Sequence, residues 1–341
     1  MRYITFTLSL LVLPTMGSTH HSQAEFTNEV QEIQGEIVDI AWRNPHPVLT
    51  VSVADEAGKA ELWEVESWSS ANSLARKGLR ADAFEVGQTV RAAVRLSRRR
   101  PGTLLGESVS LGNGTQAVLR PGYDPVFPGE AVLGSDTTPL VSASESGASG
   151  QDLGLFRVWS HVDNEGPGEL PLTAAALARQ TEFDELVDHP MWNCDPIGMP
   201  VVMDTGAPIE FIDRGEEIHL HLEMNDSIRV IHMPPSVDPA NQPHSIMGYS
   251  AGRWEGNTLI VTTRNSNYPY FDDDGTAKSD AMEIDERFTL GADGNTLSWE
   301  AILTDPEYLT EPIATRKRWE WVPGEERRTY DCLESSSGIE R

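Results

Sequence analysis

The 341-residue chain is poor in basic residues and lacks the loops that hold nucleotides. It has 26 Lys and Arg against 53 Asp and Glu, which gives a formal charge of −27 at pH 7. A negative field of that strength repels phosphate backbones, which argues against nucleic-acid binding as the main task. No glycine-rich nucleotide loop is visible, which removes the usual dehydrogenase and kinase classes. The 39% of hydrophobic residues is nevertheless enough for a packed core.

Long apolar runs are also missing beyond the start of the chain. One Arg precedes an apolar run at residues 4–13, and a Pro with small residues follows it, as in a secretory signal over residues 1–19. The run is too short to span a bilayer, and no later segment is long enough. We therefore expect a periplasmic or secreted protein without a membrane span, cleaved after Gly17, after Thr19 or a few residues later.

Cysteine is rare, with only Cys194 and Cys332 in the chain. In an oxidising compartment an isolated pair more often forms a disulfide than a redox site. In the chain-entropy model, closing so long a loop would stabilise the fold by about 4–5 kcal/mol. The alternative is two separate buried thiols.

The alternation of apolar and polar residues predicts a chain built mainly of β structure. Residues 20–133 contain five strand patterns with one helix after the third, which indicates an OB-like five-stranded barrel. Residues 134–150 are rich in Ser, Gly and Thr and predict a flexible linker. Residues 151–341 then begin with one helix over 171–186, capped by Thr173, and continue as a larger, mostly antiparallel barrel or sandwich.

Three motifs in the first half resemble a family. The segment at 20–22 reads HHS, the segment at 42–47 reads WRNPHP, and the segment at 74–78 reads LARKG. They resemble a secreted bacterial OB-like family without known function.

The second half resembles another uncharacterised bacterial family, and neither resemblance implies an activity. The motifs are PLTAAALA from Pro171, CDPIGMP from Cys194, GYSAGRWEGNTLIVTT from Gly248, ERF from Glu286 and TDPEYLTEP from Thr304. The G-x-W within this block, residues 252–254, is similar to that of lipocalin-like barrels. The expected fold is therefore an OB-like barrel joined to a lipocalin-like antiparallel barrel with one or two short helices.

The strongest candidate for chemistry is a hairpin that begins at Glu217. A two-residue turn at 225–226 would place residue 219 opposite 232 and residue 221 opposite 230. Three imidazoles and a carboxylate would then share one face, namely those of His219, His221, His232 and Glu223. Such a set can ligate zinc or copper, or act as general acid and base. A slip in register would scatter it, and the alternative is a solvated hairpin face.

Several polar residues are candidates for binding a substrate in the same barrel. They are Arg229, Tyr249, Trp254 and Glu255. The carboxylates and arginines near Trp254 can instead form a buried ion-pair network with Glu286, Arg287 and Asp305. Residues 248–252 fit G-x-S-x-G, but a strand pattern follows where a nucleophile elbow requires a helix, which argues against a catalytic Ser250.

The mature N-terminus is a separate candidate, for copper. Cleavage after Gly17 would leave an amine, two amides and the imidazole of His20, a set that chelates copper(II). Cleavage after Thr19 would make His20 terminal, so that its amine and ring could hold copper together with His46. His21 is the neighbouring candidate ligand. The alternative is a frayed polar end.

Two further clusters have simpler interpretations. An acidic loop at 272–275 is a candidate for a calcium site. The sequence does not match the EF-hand pattern at its first and twelfth positions, which favours a solvated loop. Five arginines of the first domain could line an OB binding face or pair with the acids of the strand at 61–66. They are Arg91, Arg95, Arg98, Arg99 and Arg100.

The leading hypothesis is a barrel that encloses a small, partly apolar molecule. Glu223 and the histidines would transfer a proton, as in a lyase, isomerase or hydratase that needs no organic cofactor. Two other classes stay open, a copper-binding protein and a module that binds a ligand or partner without catalysis. The sequence leaves the substrate and the oligomeric state undetermined.

Overall fold

The computed structural model describes residues 25–55, 58–135, 154–166, 168–233 and 241–330. The predicted signal segment, His20, His21, most of the predicted linker and Cys332 lie outside these ranges. The expected fold class is confirmed, since the described chain is mainly β and forms two barrels with a few short helices. The exact domain boundaries stay a prediction.

The first barrel is a sheet that closes on itself. Its strands run in the order β3-β2-β1-β4-β5-β6-β7, and a parallel pairing of β3 with β5 closes the first five into a barrel. Helix α1 (Ala71–Arg76) follows β3, as the sequence predicts. The strands are β1 (Gln31–Ala41), β2 (Val48–Ala54), β3 (Ala60–Glu66), β4 (Thr89–Leu96), β5 (Thr103–Ser110), β6 (Thr115–Val118) and β7 (Ala131–Leu133).

The larger barrel has nine strands in the order β10-β11-β12-β13-β14-β15-β16-β8-β9. All neighbouring pairs are antiparallel except β11 and β12, which pair in parallel at two positions. The strands are β8 (Val158–Glu165), β9 (Ile209–Asp213), β10 (Glu217–Leu222), β11 (Ser227–His232), β12 (Tyr249–Glu255), β13 (Thr258–Arg264), β14 (Glu283–Leu290), β15 (Thr296–Thr304) and β16 (Ile313–Glu320).

Alternating side chains give each barrel its own core. On β15, Leu297, Trp299, Ala301 and Leu303 are buried, while the residues between them are exposed. This period of two places every second side chain inside the barrel. The two cores are separate clusters, one made by residues of the first barrel and one by residues of the larger barrel.

The helix predicted over 171–186 is broken into two. Thr173 caps α2 (Ala174–Gln180) by accepting a hydrogen bond from the Ala176 amide, as predicted. Asp184 then caps a second short helix, α3 (Glu185–Asp188), by accepting from the Leu186 amide. Asp184 has the extended backbone of an N-cap residue, so a continuous helix cannot pass through it. The described 3-10 helices are Ala81–Ala83, Pro190–Asn193, Val201–Asp204 and Met224–Asp226.

The chain after β16 connects the two barrels. We call residues 325–330 the junction segment. Its Arg328 side chain donates to Asn72 Oδ1 of the first barrel at 2.5 Å, and its Arg327 side chain donates to Asp226 Oδ1 of the larger barrel at 2.7 Å. Tyr330 forms an isolated β-bridge with Asn44 of the first barrel. The junction segment therefore holds both barrels at one interface.

No helix among the described residues has the length and apolar character needed to cross a membrane.

Candidate functional site

The β10–β11 hairpin has a different register from the predicted one. Its pairs include Glu217 with His232 and His219 with Val230, so the predicted pairing of 219 with 232 is wrong by two residues. The reason is the turn, which contains four residues between the last pair, Leu222 and Ser227, instead of two. A shift of two keeps each side chain on its own face, so His219, His221 and His232 do share one side of the sheet.

This histidine face lies on the outside of the barrel. The side chains of Ile218, Leu220 and Leu222 alternate with the histidines and are buried in the core, which leaves the imidazoles half-buried on the outer face. The structure thus separates the histidines from the barrel interior.

The carboxylate at the centre of the histidine face is Glu217. Its two oxygens lie 2.9 Å from His219 Nε2 and 3.4 Å from His232 Nδ1. The hydrogen bond with His219 lowers the pKa of Glu217, and burial lowers the pKa of His221. Tyr249 stacks on His232 with ring centroids 4.4 Å apart. Glu217 was missed as a site residue, although its position two residues before His219 places it on the same strand face.

Glu223 does not join the histidines, because it leaves the strand at the turn. It is only 1% exposed, and its carboxylate accepts hydrogen bonds from Asn44 Nδ2 at 2.5 Å and from the Arg328 amide at 2.6 Å. Burial raises the pKa of Glu223 to about 7. Asn44 Oδ1 in turn accepts from the Ala71 amide at the start of α1. Glu223 therefore belongs to the interface between the barrels.

The described residues contain no group of three or more His, Cys, Asp or Glu side chains arranged to hold a metal ion.

The interior of the larger barrel contains a hydrogen-bonded ion pair. Arg229 is fully buried and donates to both oxygens of Glu286, to Ser250 Oγ at 2.9 Å and to Thr263 Oγ1 at 2.6 Å. Trp299 Nε1 donates to Glu286 Oε1 at 3.0 Å. Every side chain of this set has a hydrogen-bond partner, so Arg229 is part of a structural network. Ser250 lies within a strand, not on a nucleophile elbow.

The remaining residues near Trp254 do not belong to this network. Trp254 is 44% exposed. Glu255 lies at the surface, where it accepts from Arg253 and lies 3.9 Å from Arg287. Asp305 forms a separate buried set by accepting from Ser279. The predicted ion-pair network thus contains Glu286 but not Glu255, Arg287 or Asp305.

Arg91, Arg95 and Arg100 pair with acids, and Arg100 does so with Glu66 of the strand at 61–66, whereas Arg99 donates to the Leu186 carbonyl. Arg95 donates to Glu107, which also accepts from the buried Arg120. Arg100 contacts Glu25 at 2.6 Å and Glu66 at 2.8 Å. These pairs neutralise much of the positive charge that a nucleic-acid face would need.

A small cleft of about 100 Å³ lies between the two barrels. One wall of the cleft is formed by the C-terminal turn of α1. The opposite wall is formed by β8 and the end of β16. The pairing of β8 with β16 shifts between Arg318 and Trp319, which leaves Val162 as the extra residue of a bulge. A bulge bends its strand and re-aims the neighbouring side chains. The polar side chains around the cleft are those of Ser73, Arg76, Lys77, Ser160, His161 and Glu320.

A pair of charged atoms without hydrogen bonds lies beside this cleft. Arg76 Nη1 and Glu325 Oε1 are 3.6 Å apart, and both are buried. Neither atom has a hydrogen-bond partner among the described residues. The other oxygen of Glu325 accepts from Ser160 Oγ, which itself lines the cleft. This site could not be predicted from the sequence, because its walls come from segments that are far apart in the chain.

The predicted disulfide and copper ligands can be located only in part. Cys194 is not a free thiol, while Cys332 lies outside the described residues, so their pairing stays a prediction. The amides of Ile197 and Tyr330 both donate to side chains of the β10–β11 turn, those of Asn225 and Asp226. His46 is buried, with 8% exposure, two residues after Asn44, which contacts Glu223 of the larger barrel.

Comparison with known proteins gives a family match over part of the chain. The model of a family of unknown function, DUF6152, matches residues 9–106. No curated protein and no solved structure matches the chain. The resemblance of the second half to a family therefore stays a prediction. Over residues 9–106, which include most of the first barrel, this chain is similar to an uncharacterised family.

Proposed function

We propose that this chain is an exported binding protein that holds a small polar molecule in the cleft between its two barrels, without catalysing a reaction. The observation that carries the proposal is the cleft itself, whose lining includes charged residues of both signs, Arg76, Lys77 and Glu320, and the hydroxyl-bearing Ser73 and Ser160. A small polar molecule in the cleft would find hydrogen-bond donors and acceptors among these residues.

Binding has more support than acid–base catalysis because the proposed catalytic groups do not converge. The imidazoles lie on the outer face of the larger barrel, while Glu223 is buried at the interface with both oxygens bonded. A general acid or base must reach the proton that it transfers. The barrel interior, where the substrate of a lyase or isomerase was expected, is lined by a hydrophobic core rather than by the histidines and Glu223.

Filling the cleft should abolish ligand binding without unfolding the protein. Ser73 is half-buried and lines the cleft, so the Ser73→Phe side chain would occupy the space of a ligand. We expect saturation-transfer NMR on a panel of acetate, methylammonium, glycine, alanine and glycerol to detect a binder with the natural chain and none with this variant.

The matched control is Ser298→Phe, a change of the same size on an exposed strand face of the larger barrel. It should bind as the natural chain does. Binding that survives Ser73→Phe, or a natural chain that binds no member of the panel, would count against the proposal.

A copper-binding role is the second candidate, and one observation favours it. The described chain starts at Glu25, whose carboxylate binds Arg100, and Arg100 also binds Glu66. Glu66 pairs with Val48, two residues beyond His46. Glu25 is thus connected through Arg100 and Glu66 to the start of β2, which lies two residues after His46.

Copper titration of the correctly processed protein tests this role. We expect one tightly bound copper(II) ion per chain, because amine and imidazole ligands suit copper. His46→Ala should weaken binding by about tenfold or more, whereas His244→Ala, which changes an exposed histidine elsewhere, should not. Equal and negligible binding by all three proteins would end this candidate.

A further inference from the structure

We infer that the ligand of the cleft is a small zwitterion of the amino-acid class, a conclusion that rests on the proposed binding function. The two walls of the cleft carry opposite charges. The wall from α1 includes the cationic residues Arg76 and Lys77. The wall from the larger barrel includes the acidic residue Glu320, and Ser160 of the same wall donates a hydrogen bond to Glu325.

This arrangement matches a molecule that carries one charge of each sign. A ligand carboxylate beside Arg76 and Lys77 would receive charge-assisted hydrogen bonds, for which a guanidinium is well suited. A ligand ammonium would lie toward Glu320 and Glu325. A simple anion would meet the repulsion of those two carboxylates, and a simple cation would meet the repulsion of Arg76 and Lys77.

The remaining lining favours the same class of ligand. Ser73 and Ser160 add hydroxyl groups, each able to donate and accept a hydrogen bond. Val162 and Val322 add a small apolar surface, which fits a short side chain better than a fully hydroxylated molecule. The volume of about 100 Å³ suits one small molecule and excludes a peptide chain.

Calorimetric titration with a matched ligand series tests the inference on the full chain at pH 7. Glycine and alanine should bind at least about tenfold more tightly than acetate or methylammonium, because only the zwitterions engage both walls. Glycine and glycerol give the comparison with a neutral hydroxylated molecule, which should bind more weakly than glycine.

Two variants test which wall of the cleft contacts each charged group of the ligand. Glu320→Gln should weaken glycine binding by about tenfold while leaving acetate binding unchanged or tighter, and Arg76→Gln should weaken both. Glu300→Gln, which removes a carboxylate paired with Arg316 on the exposed outer face, should change neither. The ligand series needs no variant, so it stands even if a variant fails to fold.

The outcomes separate the inference from the proposed function. If acetate or glycerol binds in the cleft as tightly as glycine, the inference of a zwitterionic ligand is wrong, while the proposed binding function stands. No binding by any of the compounds would overturn both.

Discussion

Replacing Arg229 by Ala should destabilise the larger barrel by about 3–5 kcal/mol. The change leaves the Glu286 carboxylate buried without its counter-charge and removes donors to Ser250 and Thr263. Burying an unpaired charge costs far more than the intact pair contributes, because no water can solvate the remaining group. Guanidinium-induced unfolding followed by tryptophan fluorescence measures the loss.

Two comparison variants make this result specific to the buried pair. Arg287→Ala removes the neighbouring arginine, which is exposed on the outer face, and should change the stability by less than about 0.5 kcal/mol. The double variant R229M/E286L should recover part of the loss because no buried charge remains, although Trp299 Nε1 would still lack its acceptor. A loss below about 1 kcal/mol for Arg229→Ala would contradict the buried network.

The ionisation of Glu223 should lower the stability of the interface between the barrels as the pH rises. Burial raises the pKa of this carboxyl from its ordinary 4.5 to about 7, so the folded protein holds the proton more tightly than the unfolded chain does. The contribution of this group to stability is therefore fully present below pH 4.5 and is lost as the pH rises through 7. A shift of this size corresponds to roughly 3 kcal/mol.

The pH dependence of the natural chain should be compared with that of Glu223→Gln, which cannot ionise. The difference in unfolding free energy between them should fall by roughly 3 kcal/mol between pH 4.5 and pH 8 in favour of the variant. Glu216→Gln, at an exposed loop position, should show no such trend against the natural chain. A difference for Glu223→Gln that stays flat or moves the opposite way would show that this carboxyl is not the group that titrates at the interface.

The architecture could be predicted because it depends on a local pattern. Alternating apolar residues, such as those of β15, indicate strands that bury one face, and strand count with one helix after β3 indicates the first barrel. The parallel pairing of β11 with β12 could not be predicted in this way. It depends on the path of the long connection between them, which carries no periodic signal.

Only part of the candidate site could be predicted from such patterns. The face shared by His219, His221 and His232 could be predicted, since a strand has a period of two. The position of Glu223 could not, because it depends on the length of one turn, and two added turn residues took its carboxylate to the interface. The cleft lined by Ser73, Arg76 and Ser160 depends on how the barrels pack, which no local pattern encodes.

Mapping the bound ligand on the protein tests the central claim most directly. In a backbone NMR titration of the deuterated chain with glycine, we expect saturable chemical-shift changes at Ser73, Arg76 and Lys77 and across the cleft at Ser160 and His161. Shift changes centred instead on the outer histidine face or on the exposed end near Trp254, with none at α1 and β8, would contradict a binding site between the barrels.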